Sequence, residues 1–150
     1  MTTAHDLAMA LRAAYLAMHR RTDSTLARHR VTADQFVLLA ALARGDAATQ
    51  KDLGRRTASD PNTVRAMLLI LERQGLVARR PHPTDGRART VDLTPKGRRL
   101  YAALWAATDP VRQELTAALG PDDGEALRGL LTRVARVMTP PAPNPTRTPA

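Results

Sequence analysis

TQKDLGRRTASDPNTVRAMLLILERQGL, residues 49–76, holds two helix starts in close succession. Thr49 is followed three residues later by Asp52, so a hydroxyl and a carboxylate can satisfy the orphan backbone donors of a helix's first turn. The spacing predicts a short helix reaching about Thr57. Ala58-Ser59-Asp60 then breaks the pattern. Asp60-Pro61 reads as a cap followed by proline at the first helical position, where the missing N–H costs nothing. Val64, Met67, Leu68 and Leu71 recur at i, i+3, i+4 and i+7, which predicts a longer helix ending near Gln74, with Gly75 as its stop. A short helix, a three-residue turn and a longer helix make a helix-turn-helix. In it Leu53, Val64 and Leu68 pack the helices together, and Asn62, Thr63, Arg65 and Ala66 face outward.

Downstream, residues 76–80 and 90–94 read as two strands, with Val91 and Leu93 on one face. Pro83, Asp85 and Gly86 are turn residues between them. The fold class is therefore mainly α with a small β-hairpin. Asp85, Arg87 and Arg89 crowd the tip. A hairpin tip that holds a guanidinium outward suits a DNA minor groove, whose negative potential attracts arginine. Asp85 is then expected to brace a loop arginine. Arg87, nearer the turn, is favoured over Arg89 as the inserting residue. The plainer alternative is a solvated hairpin. On the second helix, Asn62 and Arg65 have the chemistry to read adenine and guanine, and the Thr63 methyl can meet a thymine methyl. The alternative for Asn62 and Thr63 is capping alone. Lys51, Arg55 and Arg56, on the preceding short helix, are candidates for phosphate contact or are simply solvated.

Upstream, Leu7, Leu11, Ala14 and Met18 place a helix over residues 4–27. The capping box Thr32-Ala33-Asp34-Gln35 opens another, with Phe36, Leu39, Ala40 and Ala43 on one side and Gly45 at its end. From Thr94 a helical stretch runs to about Leu119, with Pro95 in its first turn and Pro110 expected to kink or break it. Tyr101 and Trp105, one turn apart, suit a ligand pocket, a dimer interface or ordinary core. Gly120-Pro121 closes this stretch, and Asp122 with Glu125 is expected to cap a last helix carrying Leu127, Leu130, Leu131, Val134 and Val137. That stripe is wide for the last helix of a small domain. Five prolines in the twelve residues from Thr139 predict a disordered tail over 139–150.

The formal net charge of the 150 residues is +9. It is concentrated in residues 44–99, where thirteen Lys/Arg face six Asp/Glu, an excess of seven. A clustered basic surface suggests a polyanion partner. The chain has no cysteine, which excludes disulfides, thiolate metal ligands and thiol redox sensing and fits a reducing cytoplasm. No apolar run has signal-peptide or membrane-spanning character. His5, His19, His29 and His82 form no metal-binding spacing, and no nucleophile, phosphate loop or carboxylate pair points to catalysis. No cofactor, metal or enzymatic activity is expected.

The chain resembles the MarR family of transcriptional regulators over roughly residues 5–138. The likeness rests on Thr32-Ala33-Asp34-Gln35-Phe36, on the helix-turn-helix from Leu53 to Val64, on Leu71-Glu72-Arg73-Gln74-Gly75-Leu76-Val77, and on Asp85-Gly86-Arg87 leading to Leu93-Thr94-Pro95-Lys96-Gly97. The resemblance implies one domain over 1–138, with a DNA-binding winged helix at about 32–97 and dimerisation helices at about 4–27 and 98–138. It implies a homodimer on a pseudo-palindromic operator of double-stranded DNA, most often as a repressor, released by a small aromatic or anionic effector. The DNA-binding set is then Lys51, Arg55, Asn62, Thr63, Arg65, Asp85, Arg87 and Arg89. Leu69 and Ile70 depart from the family, which usually carries polar or charged residues on the exposed back of that helix; the readings are wider packing against another element or a local hydrophobic patch. The alternatives are a non-specific architectural DNA binder and a winged-helix module that binds another protein.

Overall fold

The structure, a computed structural model, describes residues 1–140. The remainder of the proline-rich tail, 141–150, lies outside the described residues. The chain falls into two compact units, Met1–Val111 and the part from Arg112 onward.

The first unit runs α1 (Ala4–Leu26), α2 (Ala33–Ala43), β1 (Ala48–Thr49), α3 (Gln50–Thr57), α4 (Pro61–Arg73), β2 (Val77–Pro81), β3 (Arg89–Leu93) and α5 (Pro95–Ala107). Four of its helix starts are capped as their sequences dictate. Thr32 accepts from the Gln35 N–H and Gln35 answers on the Thr32 N–H, each at 3.1 Å. Thr49 and Asp52 do the same at 3.1 Å. Asp60 accepts from the Thr63 N–H at 3.0 Å, ahead of Pro61. Thr94 accepts from the Gly97 N–H at 3.0 Å, ahead of Pro95. Caps of this kind are typically worth about 1 kcal/mol each. Here they also set where each helix begins, and so which side chains share a face.

The core of this unit is aliphatic. Leu26, Leu38, Leu39, Leu42, Leu53, Val64, Leu68, Leu71, Leu76, Val77, Val91, Leu93 and Leu104 are all buried in one cluster. The expected face of α2 is corrected. Leu38, Leu39 and Leu42 are its buried large residues, whereas Phe36 and Ala43 are only partly buried. The reason is that α2 is contacted by α1, α3, α5 and β3, so apolar contact wraps more of its circumference than a single amphipathic stripe.

The hairpin is joined by an unexpected third strand. The sheet order is β1-β3-β2, with Ala48 opposite Val91, Thr49 opposite Thr90, and β2 pairing with β3 from Val77↔Leu93 to Pro81↔Arg89. Two residues are too few for strand periodicity to register, but Ala48 is buried by this pairing.

At the hairpin's base lies a clasp. Gly75 takes a left-handed φ of +70° and ends α4. The Thr94 hydroxyl donates to the Gly75 carbonyl at 2.7 Å, and the Lys96 ammonium to the Gln74 carbonyl at 2.7 Å. The Thr94 N–H donates to the Leu76 carbonyl at 3.0 Å. A Cβ on Gly97 would stand 2.0 Å from the Leu76 oxygen, so only glycine allows this approach. The two segments Gln74-Gly75-Leu76 and Thr94-Pro95-Lys96-Gly97 are thus two halves of one joint.

α6 (Asp109–Met138) starts with Pro110 in its first turn, so the long helical stretch is broken there. Thr108 closes α5. Within the second unit, α6 bends at Gly120 (φ 71°, ψ 170°), directly before Pro121. The expected Asp122–Glu125 cap is corrected: Glu125 pairs with the Arg128 guanidinium along the helix, and the glycine geometry makes the break. No residue of α6 is buried. Among the described residues no helix is long and apolar enough to cross a membrane.

Candidate nucleic-acid interface

α3 and α4 are joined by Ala58, which takes a left-handed φ of +51°, and Ser59. The Ser59 N–H returns to the Gly54 carbonyl at 3.0 Å and closes the turn. Val64 and Leu68 of α4 are fully buried, as is Leu53 of α3. This is the packing expected for a helix-turn-helix, and it leaves Asn62, Thr63, Arg65 and Ala66 exposed on the first turns of α4.

The eight sequence-selected residues divide by what their side chains already do. Thr63 donates its hydroxyl to Asp60 while its N–H is capped by the same carboxylate. These bonds hold the Asp60 carboxyl below its usual pKa. Arg55 is paired with Asp52. Hydrogen bonds from the Thr49 hydroxyl and N–H, helped by Arg55, lower the Asp52 pKa to about 2. By contrast, Lys51, Asn62, Arg65, Arg87 and Arg89 are exposed or half-exposed, and their side-chain nitrogens have no hydrogen-bond or ion-pair partner among the described residues.

The hairpin tip is built differently from expectation. Asp85 does brace the loop, but through the backbone: its Oδ1 accepts from the Arg87 N–H at 3.0 Å. The expected pairing with an arginine side chain is absent among the described residues. The second brace is His82. Its Nδ1 accepts from the Thr84 N–H at 3.1 Å and the Asp85 N–H at 3.0 Å. Nδ1 must be bare for this, so the ring proton sits on Nε2. The His82 N–H to Ala88 carbonyl bond, 3.1 Å, closes the loop. The sequence signal was available: a histidine immediately before Pro-Thr-Asp can act as a side-chain turn acceptor. Arg79 adds a strut from β2 to Glu72 of α4 at 3.2 Å, and Arg98 pairs with Asp92 at 3.1 Å. The tip is therefore held by the Asp85 and His82 side chains on backbone N–H groups, and its two guanidinium groups are left over.

Away from this surface, Tyr101 stacks on Phe36 at 6.0 Å, and the Arg44 guanidinium lies over the Trp105 ring at 5.3 Å. Tyr101 is thus partly core. Nearby, Phe36, Val37, Ala40, Ala41, Arg44, Gly45 and Arg56 line a depression of about 530 Å³.

Comparison with known proteins agrees with this architecture. The sequence profile of the MarR family matches residues 30–88. Transcriptional regulator HosA of Escherichia coli O111:H- is 30% identical over 104 residues, covering 69% of this chain and 77% of HosA. Among solved structures, the MepR–DNA complex of S. aureus superposes with a TM-score of 0.81 at 25% identity, over 93% of this chain and all of MepR. BpsR of Bordetella bronchiseptica, whose DNA binding is regulated by 6-hydroxynicotinic acid, superposes with a TM-score of 0.80 at 30% identity, covering 90% and 96% of the two chains. With its capped helix-turn-helix, its braced wing and these relatives, the chain belongs to the MarR family of DNA-binding, winged-helix transcriptional regulators.

Proposed function

We propose that the protein is a cytoplasmic repressor that binds a pseudo-palindromic operator as a homodimer and releases it on binding a small aromatic or anionic effector. The observation that carries this reading is the set of uncommitted side chains. Lys51 on α3, Asn62 and Arg65 at the start of α4, and Arg87 and Arg89 on the wing all lie in the basic segment 44–99. In this reading α4 enters a major groove with Asn62 and Arg65 toward base edges. Arg87 enters the flanking minor groove, and Lys51 meets phosphate. Arg55, Thr63 and Asp85 support the surface through Asp52, Asp60 and the loop backbone. The winged helix at about 32–97 is the DNA-binding part, and helices 4–27 and 98–138 join two protomers through the exposed Leu130, Leu131, Val134 and Val137. The depression beside Phe36 offers an aromatic wall and two guanidinium groups, Arg44 and Arg56, which suits an aromatic anion.

Fluorescence anisotropy of the full chain on the DNA flanking its own coding region tests the proposal. The expected result is salt-dependent binding at least about a thousandfold tighter than to scrambled duplex, with half-sites about 10 base pairs apart. Equal affinity for scrambled sequence would make it an architectural binder. No binding to any duplex would make it a protein-docking module.

A further inference from the structure

α4 turns Val64, Met67, Leu68 and Leu71 inward. Successive helix residues are about 100° apart, so the line opposite this buried face runs through Asn62, Ala66, Leu69 and Arg73. Leu69 lies within about 20° of Asn62 and about 10 Å farther along the axis. It is 40% exposed, and its neighbour Ile70 is 42% exposed. Ile70 sits about 100° around the helix, toward the Thr63 side. Leu69 is therefore a large aliphatic side chain at the centre of an outward face whose other members are Asn62, Arg65, Ala66 and Arg73. It stands outside the buried core cluster, and the part of an aliphatic group left in water there is unfavourably hydrated. The face continues the surface proposed above to enter a major groove. In that groove the one apolar group presented by a base pair is the thymine C5 methyl.

We propose that Leu69 is a specificity-determining residue that packs against a thymine methyl, about three base pairs along the groove from the base met by Asn62. The inference rests on the reading of α4 as the groove-entering helix. It adds a property that hydrogen-bonding residues do not confer: sensitivity to a methyl group alone. Each half-site then carries a thymine at one defined position, and two-fold symmetry repeats it in the other half-site.

The test uses the full chain and duplexes enriched by it from a random-sequence pool. Each thymine is replaced in turn by deoxyuridine, which deletes the methyl and keeps every hydrogen-bonding edge. Wild type is expected to bind about fourfold more weakly when the methyl is removed at one position of a half-site, and about sixteenfold more weakly when it is removed from both. Leu69→Ala should bind the thymine and uracil duplexes equally, whereas Leu69→Met and Ile70→Ala should keep the discrimination. Circular dichroism melting checks that the exposed substitutions leave the fold intact. A methyl effect that persists in Leu69→Ala overturns the assignment. So does an enriched duplex, bound in preference to its scramble, in which no thymine methyl matters; the groove-entering reading of α4 survives that result if Asn62→Ala or Arg65→Ala still weakens binding. A pool that enriches no sequence overturns both.

Discussion

Helix α2 and the part of α6 beyond Arg112 are both leucine-bearing helices, yet their leucines meet opposite fates. In α2, Leu38, Leu39 and Leu42 are buried against neighbouring elements. In α6, Leu130 is 49% exposed and Val137 73%. An apolar stripe shows that something must cover it, and says nothing of whether the cover comes from the same chain. The winged helix closes its own core. The stripe of α6 fits the homodimer proposed above.

The largest effect expected from this contrast is on stability. Leu68→Ala, at a fully buried site, should lower the unfolding free energy by about 3 kcal/mol, read from urea unfolding at one fixed protein concentration. Leu130→Asp combined with Val134→Asp should act on association instead. Sedimentation equilibrium should find the dimer dissociation constant raised at least about a hundredfold, near 3 kcal/mol, with the helical signal of the winged helix retained. If the paired substitution leaves association unchanged, α6 is not the dimer face and the contrast fails.

A smaller effect separates the two wing arginines. Arg87→Ala should weaken operator binding by roughly 1–3 kcal/mol and Arg89→Ala by less than half as much. Anisotropy at moderate salt reads both, and equal losses would assign the groove to the pair.

The smallest effect compares two carboxylates. Asp52 and Glu125 both have lowered pKa values, Asp52 through Thr49 and then Arg55, Glu125 through Arg128. The folded pKa of Asp52 is about 2 against an ordinary 3.8. Its contribution is therefore present above pH 3.8 and lost as pH falls toward 2. Asp52→Asn should flatten the acid limb of the stability curve in that window. Glu125→Gln should leave the curve unchanged within error, because its ion pair is fully solvated. A matching response from Glu125 would mean that the α6 pair is less solvated than it stands here.

Much of the winged helix was legible because its signals are local. Thr32 with Gln35, Thr49 with Asp52, and Asp60 with Pro61 each carry cap and partner within four residues, so no tertiary information is needed. Val64, Leu68 and Leu71 announce their face by spacing. What escaped depends on distant partners. β1 exists because Ala48 meets Val91 across the sheet. The buried face of α2 is chosen by four elements around it. His82 is the exception: its partners, the Thr84 and Asp85 N–H groups, lie two and three residues away, so this signal was local and was passed over. In the candidate site the exposure of Asn62 and Arg65 followed from helix phase, whereas Arg55 and Thr63 have local partners three residues away, Asp52 and Asp60, that compete with DNA for the same side chains, and the sequence alone does not choose between them.

The clasp at the base of the wing bears on the reading frame of the hairpin. In a strand pair, a slip of one residue exchanges the faces of every side chain. Here such a slip would carry Val91 and Leu93 out of the core. It would also draw Thr94 away from the Gly75 carbonyl and Gly97 from the Leu76 oxygen. The joint acts as an index mark that locks one alignment and no other. The direction in which Arg87 and Arg89 leave the tip is thus encoded at the opposite end of the hairpin, by residues that need touch no DNA.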